Sequence, residues 1–480
     1  MISATLVTTL FLAFLAASVA TRFWLTQRQI HAVVAHRGEV PAPFRDRISL
    51  EAHRKAADYT VAHARLNRWR IGFDALLLLL WTLGGGLQAV HDLVQRFGMG
   101  ELASGVATLV LVILVSSLLE QPFNLYRTFV IEARFGFNRS TLGTWLIDRI
   151  KGLALGLLIG VPLAALLLWL MQTAGRYWWL IAWVVLMAFS LVMSWAFPTL
   201  IAPLFNKFTP LQHTELKTAI QALLRRTGFK SKGIFVMDGS RRSSHGNAYF
   251  TGLGKSKRIV FFDTLIDSLT HNQIVAVLAH ELGHFKRRHI LKGLALGAVM
   301  NLLGFAVLAW LMHQPGFYHG LGVSTPTTAL ARISHRVTTA TAQCGALTGV
   351  HSVGRLDVVS TTPARPSVAS ASHHTTLSGL ATRPCEKSGL ALLLFILVTP
   401  VFTFFLNPLM SWLSRRHEYE ADEFAARHAS ADDLIAALVT MYQDNASTLT
   451  PDPVYTGFYA SHPPALARIR HLQQLRATPA

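Results

Sequence analysis

About seven stretches of this chain are long and apolar enough to cross a lipid bilayer, and no other feature restricts its fold as much. They lie near 2–21, 72–91, 102–119, 152–171, 178–203, 290–312 and 389–413. Backbone in hydrocarbon must satisfy its own hydrogen bonds, so apolar runs of about 20 residues imply spanning helices rather than open sheet. Composition agrees: 51% of the 480 residues are hydrophobic and 14% are charged, against about 25% charged in a soluble domain. The first run ends in small residues at Ala20, as a signal peptide would, but it lacks a basic leading segment and reads as a span.

The net charge of +19 is distributed in a way that suits a membrane. Basic residues concentrate in the loops 22–71 and 120–151, in 204–289 and in the tail after 413, while the short loops 92–101 and 172–177 carry little charge. The positive-inside rule then places the basic segments in the cytoplasm and the N-terminus outside. No nucleic-acid partner is expected, because no groove-reading motif accompanies the charge. Ionisable residues are scarce within the apolar runs, which disfavours a transporter.

Between the fifth and sixth spans, 204–289 reads as a small α/β unit. Leu216, Ala219, Ile220 and Leu223 recur at helical spacing, and strand-like runs follow at Gly233–Asp238, Ala248–Gly254 and Arg258–Asp263. Short strands punctuated by glycine and the Lys255-Ser-Lys turn suggest an antiparallel meander. Thr270 followed by Gln273 is a capping-box signal, and it opens an apolar helix that is expected to run through Lys286–His289 into the sixth span. The segment 330–388 differs. It is rich in Ser, Thr, Ala and Arg, and it holds both cysteines, Cys344 and Cys385. It reads as an outer insertion whose thiols either pair in an oxidising compartment or stay free.

The chemistry centres on His280-Glu-Leu-Gly-His284. Residues four apart share a helix face, so His280 and His284 can direct two imidazoles at one ion. Glu281 is positioned to act as general base on a water at that ion, the HExxH arrangement of zinc peptidases. A catalytic zinc needs a third protein ligand and an open position. After the seventh span, Glu418 and Asp422 again lie four apart. Glu418 suits the third ligand and Asp422 suits a residue orienting a ligand histidine. His417 and Glu420 are alternative ligands, although each faces away from the side shared by Glu418 and Asp422. His462, held by two following prolines, could donate to a tetrahedral oxyanion. Asn247 could grip a peptide carbonyl at the edge of a strand that pairs with an extended substrate.

Taken in order, these segments resemble the type I CAAX prenyl endopeptidases, integral-membrane zinc metalloproteases that include the yeast a-factor converting enzyme. The resemblance rests on Glu132-Ala-Arg-Phe-Gly-Phe-Asn138, Asn247-Ala-Tyr-Phe250, Lys257-Arg-Ile-Val-Phe-Phe-Asp-Thr264, the HELGH run, Ser414-Arg-Arg-His-Glu-Tyr-Glu-Ala-Asp422 and Ser461-His-Pro-Pro464. It covers nearly all of the chain outside 330–388. It implies one zinc ion per chain held by His280, His284 and Glu418, with Glu281 as catalytic base. It further implies that His462 stabilises the transition state and that Asn247 and Tyr249 line the substrate groove. For Asp422 the family suggests a proton donor, while its place one turn beyond a ligand suggests orientation.

The expected fold class is therefore mainly α, a polytopic membrane helical barrel of about seven spans with a small cytoplasmic α/β zinc-metallopeptidase domain. Its expected divisions are a membrane region at 1–203, a peptidase subdomain at 204–289, the sixth span at 290–312, the outer loop at 313–388, the seventh span at 389–413 and a C-terminal peptidase segment at 414–480. The expected function is membrane zinc endopeptidase, in CAAX-type processing or in membrane-protein quality control. Arg- and Ala-rich composition favours a bacterial inner membrane over the endoplasmic reticulum. The partners expected are a peptide or protein bound as an extended strand and the lipid bilayer. An inactive relative acting as a chaperone or scaffold is the alternative.

Overall fold

A computed structural model describes residues 1–251, 258–324 and 388–477. The expectations for Gly252–Gly254, for the 330–388 insertion before Ser388 and for Cys344 and Cys385 fall outside the described residues. Among those described, six helical stretches are long and apolar enough to span a bilayer: Ala4–Ala35, Glu101–Glu132, Leu142–Thr173, Gly175–Leu204, His289–Leu311 and Ser388–His428. A bent pair, Leu50–Trp81 with Gly86–Gln95, makes a seventh.

The helices outrun the apolar stretches that announce them. Ala4–Ala35 has 32 residues, about 48 Å at 1.5 Å per residue, against a hydrocarbon core of about 30 Å. Most of the supposed loop 22–71 is therefore helix: Ser3 and Ser49 cap two helices by accepting from Leu6 N–H and Ala52 N–H, and only 36–49 lies between those helices. The span expected at 72–91 is not continuous, because its two halves meet at 48°. Gly85 sits at the break with φ of 75°, a conformation open to glycine and costly for other residues. Charges also fall within the long helices. Arg70 donates to Glu120 at 3.0 Å and lies 3.9 Å from Asp74, a paired cluster near the ends of the apolar runs 72–91 and 102–119.

Among the described residues, two large apolar cores form beside two small clusters. One gathers Phe11, Leu15, Trp81, Leu168, Tyr318 and Leu390–Leu394 among the membrane helices. The other lies under the sheet and joins Leu216, Ile220 and Leu223, at helical spacing, to Ile259, Phe261, Ile274, Leu278, Leu282, Leu438, Ile469 and Leu472. Val40, Phe44 and Ile48 join this second core from the 36–49 connection.

The sheet has four strands, β1 Phe208–Pro210, β2 Gly233–Met237, β3 Ala248–Thr251 and β4 Arg258–Phe262, in the order β1-β2-β4-β3. It is not the expected meander. β2 and β4 run parallel, with Phe235 opposite Val260, and β3 folds back antiparallel on β4, with Tyr249 opposite Val260. The ten residues between β2 and β3 (238–247) carry the chain past β4, leaving β3 as an edge strand.

The helix His271–Lys286 begins with the expected capping box, Thr270 and Gln273 each bonding the other's backbone N–H. It does not run on into the sixth span. Arg288 adopts the left-handed region at φ 57°, and a new helix starts at His289. The HELGH helix packs against the helix Asn407–His428, which continues the last span. Gly283 makes this approach possible: a Cβ there would lie 2.8 Å from Ala421 Cα and 3.1 Å from its carbonyl oxygen. Gly283→Val should force the two helices apart and lower stability by about 1–3 kcal/mol, read as thermal unfolding of the detergent-solubilised protein. An unchanged midpoint would mean that the helices have slack at this crossing.

Candidate metal centre

The crossing of the HELGH helix with Asn407–His428 brings together side chains more than 130 residues apart in sequence. His280, His284 and Glu418 each offer a ligand atom, all within 4.8 Å of one another. His280 Nε2 lies 3.5 Å from Glu418 Oε2, His284 Nε2 3.2 Å from Glu418 Oε1, and the two Nε2 atoms are 3.2 Å apart. The site is closed to water on the Glu418 side, where Glu418 is 4% exposed and His280 5%.

Hydrogen bonding decides which ring nitrogens face the centre. His280 Nδ1 is 2.8 Å from Asp422 Oδ1. A carboxylate has no proton to give, so Nδ1 carries the hydrogen and Nε2 has the lone pair; Arg468 Nη2 lies 3.0 and 3.1 Å from these two ring nitrogens. Asp422, fully buried, is gripped by Arg468, whose Nε donates to Oδ2 at 2.8 Å and Nη2 to Oδ1 at 2.7 Å. Burial works against the charge on Arg468, yet Asp422 outweighs it and raises the guanidinium pKa. Glu418 Oε2 is buried and accepts no hydrogen bond. An orphaned carboxylate oxygen facing two imidazole lone pairs fits a bound cation, since leaving such an oxygen unpartnered is costly. The buried charges point the same way: two carboxylates, Glu418 and Asp422, face one guanidinium, Arg468.

The other expected residues are distributed around this centre. Glu281 follows His280 on the same turn and is half-buried. His462 also reaches the cluster, with Nε2 3.4 Å from Glu418 Oε1 and its side chain 63% exposed. Its segment is clamped at both ends. Asp452 caps the helix Pro453–Tyr459 through Tyr455 N–H and is held by Arg28. Arg415 Nη1 donates to the carbonyls of Thr456 and Ala460 at 3.1 and 2.9 Å. Asn247 is exposed at the start of the edge strand, its Oδ1 accepting from Ala248 N–H at 2.8 Å. Tyr249 is half-buried, with its hydroxyl 3.9 Å from Met237 Sδ. The loop before Asn247 is tied down by Asn445 Oδ1, which accepts from Gly246 N–H, and by Phe137, stacked on His245 at 4.3 Å. Glu132 accepts from Tyr59 and lies 3.6 Å from His245. The Glu132–Asn138 segment thus braces the strand-bearing loop.

His417 and Glu420, the alternative ligands, stand outside the cluster. Glu420 accepts from His289, and the His417 ring stacks on His289 at 4.0 Å. Arg468 is the residue that sequence reading missed. The signal was present: Ala465, Arg468, Ile469 and Leu472 share one helical face, and all four are buried. An arginine on an otherwise apolar face calls for a buried anion.

A polytopic helical bundle carrying HExxH, with an acidic residue beside it on a crossing helix that could complete a metal site, defines a membrane metallopeptidase. The chain belongs to peptidase family M48. The family's profile matches residues 210–346 and 346–476, and the profile "CAAX prenyl protease N-terminal, five membrane helices" matches 29–207. CAAX prenyl protease 1 of Saccharomyces cerevisiae is 31% identical over 469 residues, spanning 94% of this chain and 91% of that protein. The CAAX prenyl protease 1 homolog of Arabidopsis thaliana is 32% identical, over 83% of this chain and 79% of its own. The crystal structure of S. mikatae Ste24p superposes with a TM-score of 0.79 at 29% identity, covering 98% of this chain and 99% of that one. These relatives are eukaryotic, and the expectation of a bacterial inner membrane finds no support among them. The inactive-scaffold alternative is not favoured.

Arg468→Ala would strand Asp422 as an uncompensated buried charge and should cost about 3–5 kcal/mol of stability. Arg468→Lys should recover only part, because an ammonium cannot reproduce the two-pronged contact. Thermal unfolding of the metal-free protein measures both; wild-type stability in Arg468→Ala would mean that Asp422 needs no counter-charge.

Proposed function

We propose that this chain is a zinc endopeptidase that acts on CAAX-type prenylated protein C-termini, as the names of its relatives describe for those proteins. The observation that carries this reading is the convergence of His280, His284 and Glu418 around an unbonded Glu418 oxygen. Two imidazoles and one carboxylate form the donor set of catalytic zinc sites that keep a fourth position open. The basic flanking segments support a cytoplasmic active site.

When bound, zinc would acidify a water and polarise a peptide carbonyl. The chain's own residues do the rest. Glu281 takes the proton as the water oxygen adds to the carbonyl carbon, then delivers it to the departing amine nitrogen as the C–N bond breaks. His462 is exposed beside Glu418, where its imidazole can donate to the oxyanion. Asp422 fixes the orientation of His280, and Arg468 holds Asp422. The edge strand β3 offers free backbone groups to an extended peptide, with Asn247 and Tyr249 beside it.

Glu281→Gln keeps the size of the side chain and removes its basicity. It should retain bound zinc and lose about 10²–10⁴-fold in cleavage of a farnesylated CAAX peptide. Zinc content measured alongside turnover separates lost chemistry from lost metal. Turnover within tenfold of wild type (about 1.4 kcal/mol) would remove Glu281 as the base, and equal cleavage of the unprenylated peptide would remove the prenyl requirement.

A further inference from the structure

His280 is backed by a carboxylate directly. His284 is backed by one through an intermediate imidazole. His284 Nδ1 lies 3.0 Å from Nδ1 of His289, and His289 Nε2 lies 3.0 Å from Glu420 Oε2. On an unbroken helix, residues five apart would point about 140° away from each other. The left-handed turn at Arg288 ends the HELGH helix and restarts the next one at His289, and this break brings the two rings together.

The protons in this chain are determined from the outside inward. Glu420 accepts, so His289 Nε2 carries a hydrogen and His289 Nδ1 has a lone pair. His284 Nδ1 must then be the donor in the contact between the rings, which leaves the His284 Nε2 lone pair facing Glu418 Oε1 at 3.2 Å. His289 has little freedom to do otherwise. It is 6% exposed, and the His417 ring lies flat against it at 12°. Glu420 is itself flanked by Arg416 at 3.6 Å and Lys292 at 3.8 Å.

We propose that Glu420 and His289 form a positioning pair that fixes the tautomer and orientation of His284, and so strengthens metal binding at the centre. This inference rests on the metal site of the preceding section. It gives His289 and Glu420 a role in the site without making either one a ligand.

The test measures zinc affinity of the purified full-length chain by competition with a chromophoric chelator, together with the cobalt(II) visible spectrum and the unfolding midpoint of the metal-free protein. His289→Ala should weaken zinc binding by about 10–100-fold, the range seen when a group orienting a ligand histidine is lost. His289→Asn, whose amide oxygen can accept near the Nδ1 position, should regain most of that loss and the wild-type cobalt spectrum. Glu420→Ala should weaken binding more than Glu420→Gln, which still offers an acceptor. Affinity of His289→Ala within about twofold of wild type, or no advantage of Asn over Ala, overturns the pair, being far below the expected range. Should His289→Ala fail to fold, the Glu420 variants decide, and wild-type affinity in Glu420→Ala overturns it equally. If the wild type itself binds no zinc, or His280→Ala binds as tightly as wild type, the metal site fails instead.

Discussion

The close crossing of the HELGH helix with the extension of the last span is the contact on which the rest depends. His280 and His284 sit on one helix and Glu418 on the other, and Gly283 against the Ala421 backbone sets how near these three candidate ligands come. A Cβ at that point would lie 2.8 Å from Ala421 Cα, so ordinary van der Waals contact would need the helices to part by about 1 Å. Metal ligation tolerates only a few tenths of an ångström. The glycine in the motif is therefore required by packing as much as the histidines are by chemistry.

Bringing helices together this tightly buries charge, and the structure answers with paired groups rather than isolated ones. Asp422 and Arg468 neutralise one another through a two-pronged contact, and Asp422 uses its remaining capacity on His280. What is left over is Glu418, whose second oxygen has no donor. A buried ion pair seldom stabilises a fold more than apolar residues of the same size would. Its value here is directional, since it sets which nitrogen of His280 faces inward. The two histidines of HELGH thus have separate carboxylate-backed contacts, His280 through Asp422 and Arg468 and His284 through His289 and Glu420 across the break at Arg288.

The sequence was legible wherever local rules act alone. The capping box at Thr270, the i,i+4 pairs His280/His284 and Glu418/Asp422, and the apolar runs of the spans all depend on neighbours within a turn or two. The misreadings come from contacts between distant segments. The parallel pairing of β2 with β4 depends on where β3 is left over, which no strand pattern encodes. The helix break at Arg288 is invisible because arginine normally avoids a positive φ, and the break persists because the surrounding structure holds it. The interruption near Gly85 could have been read from Gly84-Gly85-Gly86, had the hydropathy of the run not outweighed it. Arg468 was missed because a lone arginine in a basic tail resembles solvated charge until its helical face is drawn.

The remaining question for the architecture is how Glu418 is positioned when a long segment separates the sixth and seventh spans in sequence. The answer lies in the ends of that segment. Ser324 N–H donates to Gln88 Oε1 at 3.0 Å, so the last described residue before the segment is tied to the membrane bundle. It re-enters at Ser388, where Gly389 meets Gly105 so closely that a Cβ would lie 2.9 Å from its Cα. From there the helical stretch Ser388–His428 runs as one candidate span into the site. Leu390, Ala391, Leu393 and Leu394 are buried in the membrane core at that end. The position of Glu418 is therefore fixed by the packing of its own helix, from Gly389 against Gly105 at one end to Ala421 against Gly283 at the other.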